Sequence, residues 1–264
     1  MNMKVASRHD LLKRRLDAFF TSCDERKAAR ELIVSLAQGS HAWIFGGMIR
    51  DIGLFGRKGF RSDIDVVVDA DRHELTARLA QSPIQQCQMN KLGGIRFRYQ
   101  NIDFDIWCLA DTWAFKQKII PFEDAHSLLK TTLMTWDAIL YNVQRKEVIS
   151  PENYLDDLIE KRLELVLEYT PNEIGALVKI LRTIYGKQVD KIGPKLCQFL
   201  VETLVNYRSD MLMRYELAHY RTPVINGLKL AKLHAALAHN QPNEDLTLHL
   251  RQQPHQFPLH FNRG

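Results

Sequence analysis

Residues 42 to 69, AWIFGGMIRDIGLFGRKGFRSDIDVVVD, constrain this chain more than any other stretch. The apolar run 42 to 45 reads as a strand, broken by Gly46 and Gly47. Residues 48 to 55 read as one or two helical turns, closed by Gly56. A basic loop leads to Ser62, Asp63, Ile64 and Asp65, and then to Val66, Val67 and Val68, a β-branched strand. The order is strand, Gly-Gly, Arg-bearing helix, and Asp-x-Asp at the mouth of the next strand.

Each part has a physical use if the ligand is a nucleoside triphosphate. Two glycines after a strand let the backbone approach phosphate oxygens, because no Cβ intervenes. The N–H groups that open the next helix point at an anion, and the helix dipole has the matching sign. Arg50 in the first turn can fork onto phosphate. Asp63 and Asp65 are two apart on an extended segment, so both carboxylates leave the same face. Hard oxygen ligands of this kind suit Mg2+ shared with substrate phosphates. Each signal is common alone, and their order within one short span makes them specific.

The totals fit a soluble globular protein. The chain has 264 residues, 45% hydrophobic and 25% charged, enough for one large or two modest domains with a core. No apolar run approaches the ~20 residues needed to span a bilayer. Charges interrupt the N-terminal stretch where a signal peptide needs an apolar core. Cys23, Cys87, Cys108 and Cys197 show neither CxxC nor zinc spacing, so reduced thiols and a cytoplasmic location are expected. The formal net charge of +5 belongs to residues 171 to 264, which hold 12 Lys+Arg against 7 Asp+Glu. A basic accessory region beside a neutral head suits a nucleic-acid substrate, and a solvated helical face gives the same count.

Residues 8 to 38 read as two packing helices with a break at 22 to 24. After the Asp-x-Asp strand, 71 to 80 reads as a helix and 85 to 89 as a strand. Gly93 and Gly94 lie between two strand-like runs and read as a hairpin turn. In the strand 102 to 109, Ile102, Phe104 and Ile106 face one way while Asp103, Asp105 and Trp107 face the other. Residues 111 to 117 read as a short helix, followed by a loop around Pro121 and a longer helix over 122 to 144; 141 to 149 reads as strand, turn, strand, and 151 to 166 as a helix. From 174 on the pattern stays helical, ending in a tail that carries Pro242, Pro254 and Pro258. The expected organisation is a catalytic head with its N-terminal helices over 1 to 145, and a helical neck and accessory region over 146 to 264.

GGMIRD followed by SDIDVVVD resembles the head of the polymerase-β-type nucleotidyltransferase superfamily. The Gly-Gly-x-x-Arg-Asp form is similar to tRNA nucleotidyltransferases and bacterial poly(A) polymerases, over roughly residues 35 to 185. The resemblance implies a third carboxylate on the strand beside the Asp-x-Asp strand; it favours Asp105, with Asp103 on the same face as the alternative. It implies two Mg2+ ions held by Asp63, Asp65 and Asp105, and a triphosphate held by Gly46, Gly47 and Arg50. Residues 135 to 140, TWDAIL, resemble the family's Thr-Ile-Asn-Ala-Leu segment, with Asp137 in the Asn place. Lys179, Ile180, Leu181 and Arg182 resemble its Arg-x-Leu-Arg stretch. The family's sugar-contacting Arg-Arg-Asp is replaced by Thr131, Thr132 and Leu133, and its base-selecting Glu-Asp-x-x-Arg has no counterpart.

The expected fold is therefore α/β, a small mixed sheet with helices on one side followed by an all-helical region. The expected activity is Mg2+-dependent transfer of a nucleoside monophosphate from a nucleoside triphosphate to a hydroxyl, releasing pyrophosphate. RNA is the first choice of acceptor. A protein side chain or small molecule is the alternative acceptor, and a non-catalytic regulatory module is the alternative from another class.

Overall fold

The computed structural model describes residues 4 to 60 and 62 to 249. The chain divides into two compact units, Met1–Glu173 and Ile174–Gly264.

In the first unit, two helices, α1 (His9–Phe20) and α2 (Asp24–Ala37), precede β1 (Ala42–Phe45), α3 (Gly47–Phe55) and β2 (Ile64–Val68). The helix α4 (Arg72–Ala80) is capped by the Asp71 side chain, which accepts from the Glu74 N–H at 2.9 Å. Then come β3 (Gln85–Met89), β4 (Ile95–Tyr99), β5 (Ile102–Cys108), the short helix α5 (Trp113–Lys116), and two short strands, β6 (Leu140–Asn142) and β7 (Glu147–Ile149).

These strands form one mixed sheet in the order β3-β4-β5-β2-β1-β6-β7. The β2–β5 pairing is parallel, and the others are antiparallel. Helices α2 and α3 pack against β1 and β2, and α4 against β5. The alternation read in the sequence sets the two faces. Ile44, Val66 and Ile106 are fully buried. On the other face Trp43 and Val67 join Leu109, Phe115, Leu128 and Leu140 in a cluster that Phe45 and Trp107 pack against. Asp65 and Asp105 share this second face, two positions before Val67 of that cluster and before Trp107, which packs against it.

The Gly93–Gly94 turn is the hairpin expected. Asn90 N–H donates to the Gly94 carbonyl at 2.8 Å, and Asn90 Oδ1 accepts from Leu92 and Gly94 N–H at 2.9 Å each. The edge strand β3 is exposed along its whole length, and its register with β4 shifts between Gln85 and Gln88, where Gln86 has φ +53°.

Two helices expected from the sequence are shorter than their patterns. Residues 122 to 144 form 3-10 turns at Ala125–Thr131 and Thr135–Asp137 and then β6. Within 151 to 166 only α6 (Tyr154–Ile159) is α-helical. The cause is tertiary pairing. Thr135 N–H donates to the Glu164 carbonyl at 2.9 Å, Val166 N–H to Leu133 at 3.0 Å, and Leu167 N–H to Thr132 at 3.1 Å. An extended backbone that finds these partners has no need of a helix. The same contacts hold residues 162 to 167 within the compact first unit, which runs to Glu173. Trp136 Nε1 donates to the Arg162 carbonyl at 2.6 Å, and the Tyr154 hydroxyl to the Trp136 carbonyl at 3.1 Å.

The second unit holds α7 (Glu173–Gly186, whose first residue closes the first unit), α8 (Pro194–Leu204), α9 (Ser209–His219) and α10 (Gly227–Ala238). A two-residue strand, Lys191–Ile192, pairs with Leu246–Thr247, so part of the expected loose tail is strand; Pro254 and Pro258 lie outside the described residues. Glu216 is fully buried and organises this unit. Its carboxylate accepts from Arg182, from Val224 N–H at 2.9 Å and from Ile225 N–H at 3.0 Å. Arg182 also donates to the Thr222 carbonyl at 2.7 Å and lies over the Tyr220 ring. Helix α7 is thereby tied to α9 and to the turn behind it. Glu216→Ala strips the half-buried Arg182 guanidinium and two N–H groups of their acceptor. The expected loss is about 3–5 kcal/mol of stability in a urea titration, with a smaller loss for Glu216→Gln.

Candidate active site

Gly46 makes the turn from β1 into α3. Its backbone sits at φ +63° and ψ −108°, outside the wells that side-chain-bearing residues occupy. A Cβ there would also stand 3.2 Å from the Asp137 carbonyl oxygen. Its N–H donates to the Ile139 carbonyl at 2.9 Å. Gly47 opens α3 beside the acids: a Cβ on it would lie 3.9 Å from Ser62 Oγ and 4.0 Å from Asp65 Oδ2. The N-terminal N–H groups of a nine-residue helix thus open next to the Asp-x-Asp segment.

Arg50 is not a free surface fork. It is buried, with Nε donating to Asp51 Oδ1 at 2.8 Å and Nη1 to Asp137 Oδ1. Burial alone favours the neutral guanidine, but the charges of Asp137 and Asp51 outweigh it and hold the group ionised well above its usual range. Only its Nη2 side approaches Gly47, 3.5 Å from where a Cβ would be. Tyr154 lies against the same charges; burial raises its hydroxyl well above the ordinary tyrosine range, so it stays a donor. Asp137, standing where the resembling family has Asn, is thus the counter-ion of Arg50. Thr131 and Thr132, in the place of the family's Arg-Arg-Asp, spend their hydroxyls on the carbonyls of Leu128, Leu129 and Met134.

The acids come together through the parallel pairing of β2 with β5, where Asp65 stands in register with Asp105. Asp63 lies one residue before β2. Arg96 on β4 is the cross-strand partner of Asp105, and its Nη2 reaches Asp63 Oδ2 at 3.2 Å and Asp105 Oδ2 at 3.4 Å. Asp103 instead pairs with Arg98, at 3.6 Å. The hairpin turn closes on the same place: a Cβ on Gly94 would stand 3.1 Å from Asp105 Oδ1. Burial raises the Asp105 carboxyl above the usual range; Arg96 pulls it back and the charge of Asp63 pushes it further up.

Among the described residues, no three His, Cys, Asp or Glu side chains close into a ready metal cluster. The donor set nonetheless fits a hard divalent cation. It consists of carboxylate oxygens on one face, and a cationic guanidinium already bridges two of them. Sequence reasoning missed Arg96 and Gly94. The signal for Arg96 was the alternation in IRFRY, which puts Arg96 and Arg98 on one face of a strand next to IDFDIW.

Arg50→Ala removes the cation between two buried carboxylates, with an expected cost of about 3–5 kcal/mol in chemical denaturation. Arg50→Met paired with Asp137→Leu should recover much of that. Asp105 titrates in the other direction. Its raised pKa means that the fold prefers it protonated, so its charge weighs against folding at neutral pH. That weight lifts as pH falls through the raised value. Asp105→Asn should therefore raise Tm at pH 7 without divalent ions, and the gain should vanish below the ordinary Asp value of 3.8.

No family model matches the chain, and no curated protein matches it in sequence. Solved structures do match in fold. A CCA-adding enzyme in complex with CTP superposes with a TM-score of 0.59 at 16% identity, covering 86% of this chain and 54% of that one. A Thermotoga maritima CCA-adding enzyme complexed with tRNA gives 0.57 at 17% identity, covering 84% and 53%. A tRNA nucleotidyltransferase complexed with a primer tRNA and an incoming ATP analogue gives 0.56 at 16%, covering 78% and 59%. This chain spans a little over half the length of those proteins. The likeness of its motifs to the head and neck of tRNA nucleotidyltransferases is thus also a likeness of fold.

Proposed function

We propose that this chain is a metal-dependent nucleotidyltransferase that moves a nucleoside monophosphate from a nucleoside triphosphate to a hydroxyl of RNA. The observation that carries the reading is the placement of Asp63, Asp65 and Asp105 on one sheet face, beside the opening of α3 at Gly47.

In this reading Asp63, Asp65 and Asp105 hold two Mg2+ ions. Bound there, the ions would make the attacking hydroxyl more acidic and offset charge on the leaving pyrophosphate. The acceptor oxygen forms a bond to the α-phosphorus. The bond from that phosphorus to the bridging oxygen breaks, pyrophosphate departs with the electron pair, and the hydroxyl proton passes to solvent. The chain's own residues bind and orient. The Gly46–Gly47 turn and the first N–H groups of α3 receive triphosphate oxygens. Arg50 acts from beneath, fixing the turn against Asp137. Positioning and charge stabilisation supply most of the rate, as in phosphoryl transfer generally.

RNA as acceptor is supported by the tRNA that the structural neighbours bind and by the basic excess of residues 171 to 264. A cytoplasmic setting is supported by the scattered cysteines; among the described residues no helix is long and apolar enough to cross a membrane.

The test is incubation with Mg2+, each of the four labelled ribonucleoside triphosphates and total cellular RNA. Label should enter RNA from one or two nucleotides. Asp63→Ala and Asp65→Ala should each lower transfer at least ~1,000-fold while circular dichroism stays native. Label on protein would move the acceptor to a side chain. Full turnover in either variant would sink the acid assignment.

A further inference from the structure

We propose that Arg96 is a built-in cation of the acid cluster, which a divalent ion must displace to enter, so that this residue sets the metal affinity of the site. The inference rests on the metal-site reading of Asp63, Asp65 and Asp105.

Among the described arginines, the geometry singles out Arg96. One nitrogen, Nη2, serves both Asp63 Oδ2 and Asp105 Oδ2, at 3.2 and 3.4 Å. A metal ligated by both carboxylates would draw their oxygens to about 2.1 Å, leaving no space for that nitrogen between them. Arg50 is buried and committed to Asp51 and Asp137. Arg98 lies two residues on from Arg96 but pairs with Asp103, at the hairpin end of β5.

Arg96 is also built to leave. Its side chain is 60% exposed, while that of Asp105 is 19% exposed. Both of its contacts are longer than the ~2.7–2.9 Å of a strong charge-assisted hydrogen bond. An exposed guanidinium released to water gives up little. Its hold on the site is therefore electrostatic and weak. A divalent ion neutralises the cluster better, and on entry it exchanges for Arg96 instead of filling bare acids. Binding is weakened by what the exchange costs.

The measurement is Mn2+ binding, read from the electron paramagnetic resonance signal of free Mn2+ at low ionic strength. The native chain is compared with Arg96→Ala, Arg96→Gln, Arg98→Ala and Asp65→Asn, with folding checked by circular dichroism. Both Arg96 variants should bind Mn2+ about tenfold more tightly, the order expected for removing a unit charge ~5 Å from a divalent ion in a solvated site. Arg98→Ala should leave the affinity unchanged. The glutamine variant keeps most of the stem, so it reports on charge if the alanine variant fails to fold. Unchanged or weaker binding in the folded Arg96 variants, with native binding intact, overturns the role of Arg96 and leaves the metal site standing. No Mn2+ binding by any protein, or native binding by Asp65→Asn, overturns the site reading and this inference with it.

Discussion

Carboxylates at Asp63, Asp65 and Asp105 repel one another, and the parallel pairing of β2 with β5 gives the last two no way apart. Much of the first unit holds that conflict in place. The antiparallel partners of β2 and β5 fix both strands from either side, and the alternation of Phe104 and Ile106 with Asp103 and Asp105 pins the register. A one-residue slip of β5 would turn Phe104 and Ile106 off their buried face and Asp105 onto it. The acids are therefore positioned by the burial of their neighbours and not by attraction to each other. Arg96, reaching across from β4, relieves the repulsion only in part. Such stored unfavourable charge is what a cationic ligand can release.

A second polar device lies underneath. Arg50 with Asp51 and Asp137 joins the start of α3 to the turn Thr135–Asp137, far away in sequence. That turn is itself held by Trp136 and Tyr154, so the Gly46–Gly47 loop rests on a framework reaching to residue 162. Buried ion pairs of this kind are weak contributors to net stability. Their effect here is geometric, since the close approach of Gly46 to the Asp137 backbone leaves a single arrangement for the loop.

The stretch 42 to 69 was legible because its information is local: glycines at a forced turn, a capping glycine at the helix end, alternation in a β-branched strand. The α/β class and the Gly93–Gly94 hairpin were legible for the same reason. What could not be read required partners distant in sequence. TTLMTWDAIL has helical spacing, but its backbone is claimed by residues 164 to 167. Arg50 looks like a phosphate fork until Asp137 is brought beside it. Arg96 matters only through a register that strand patterns do not specify. The division after Glu173 follows from the same long-range contacts, since 146 to 173 has no composition break to mark its attachment to the sheet.

The sheet ends at β3, a strand of uncharged residues, QQCQM, exposed along its length. An edge of that composition invites a further strand from another molecule. Here the register breaks between Gln85 and Gln88, and Gln86 turns into the left-handed region. The outer row of N–H and C=O groups is thereby thrown out of the even spacing that an incoming strand would need. An irregularity of this kind disfavours the addition of a further strand at an uncharged border.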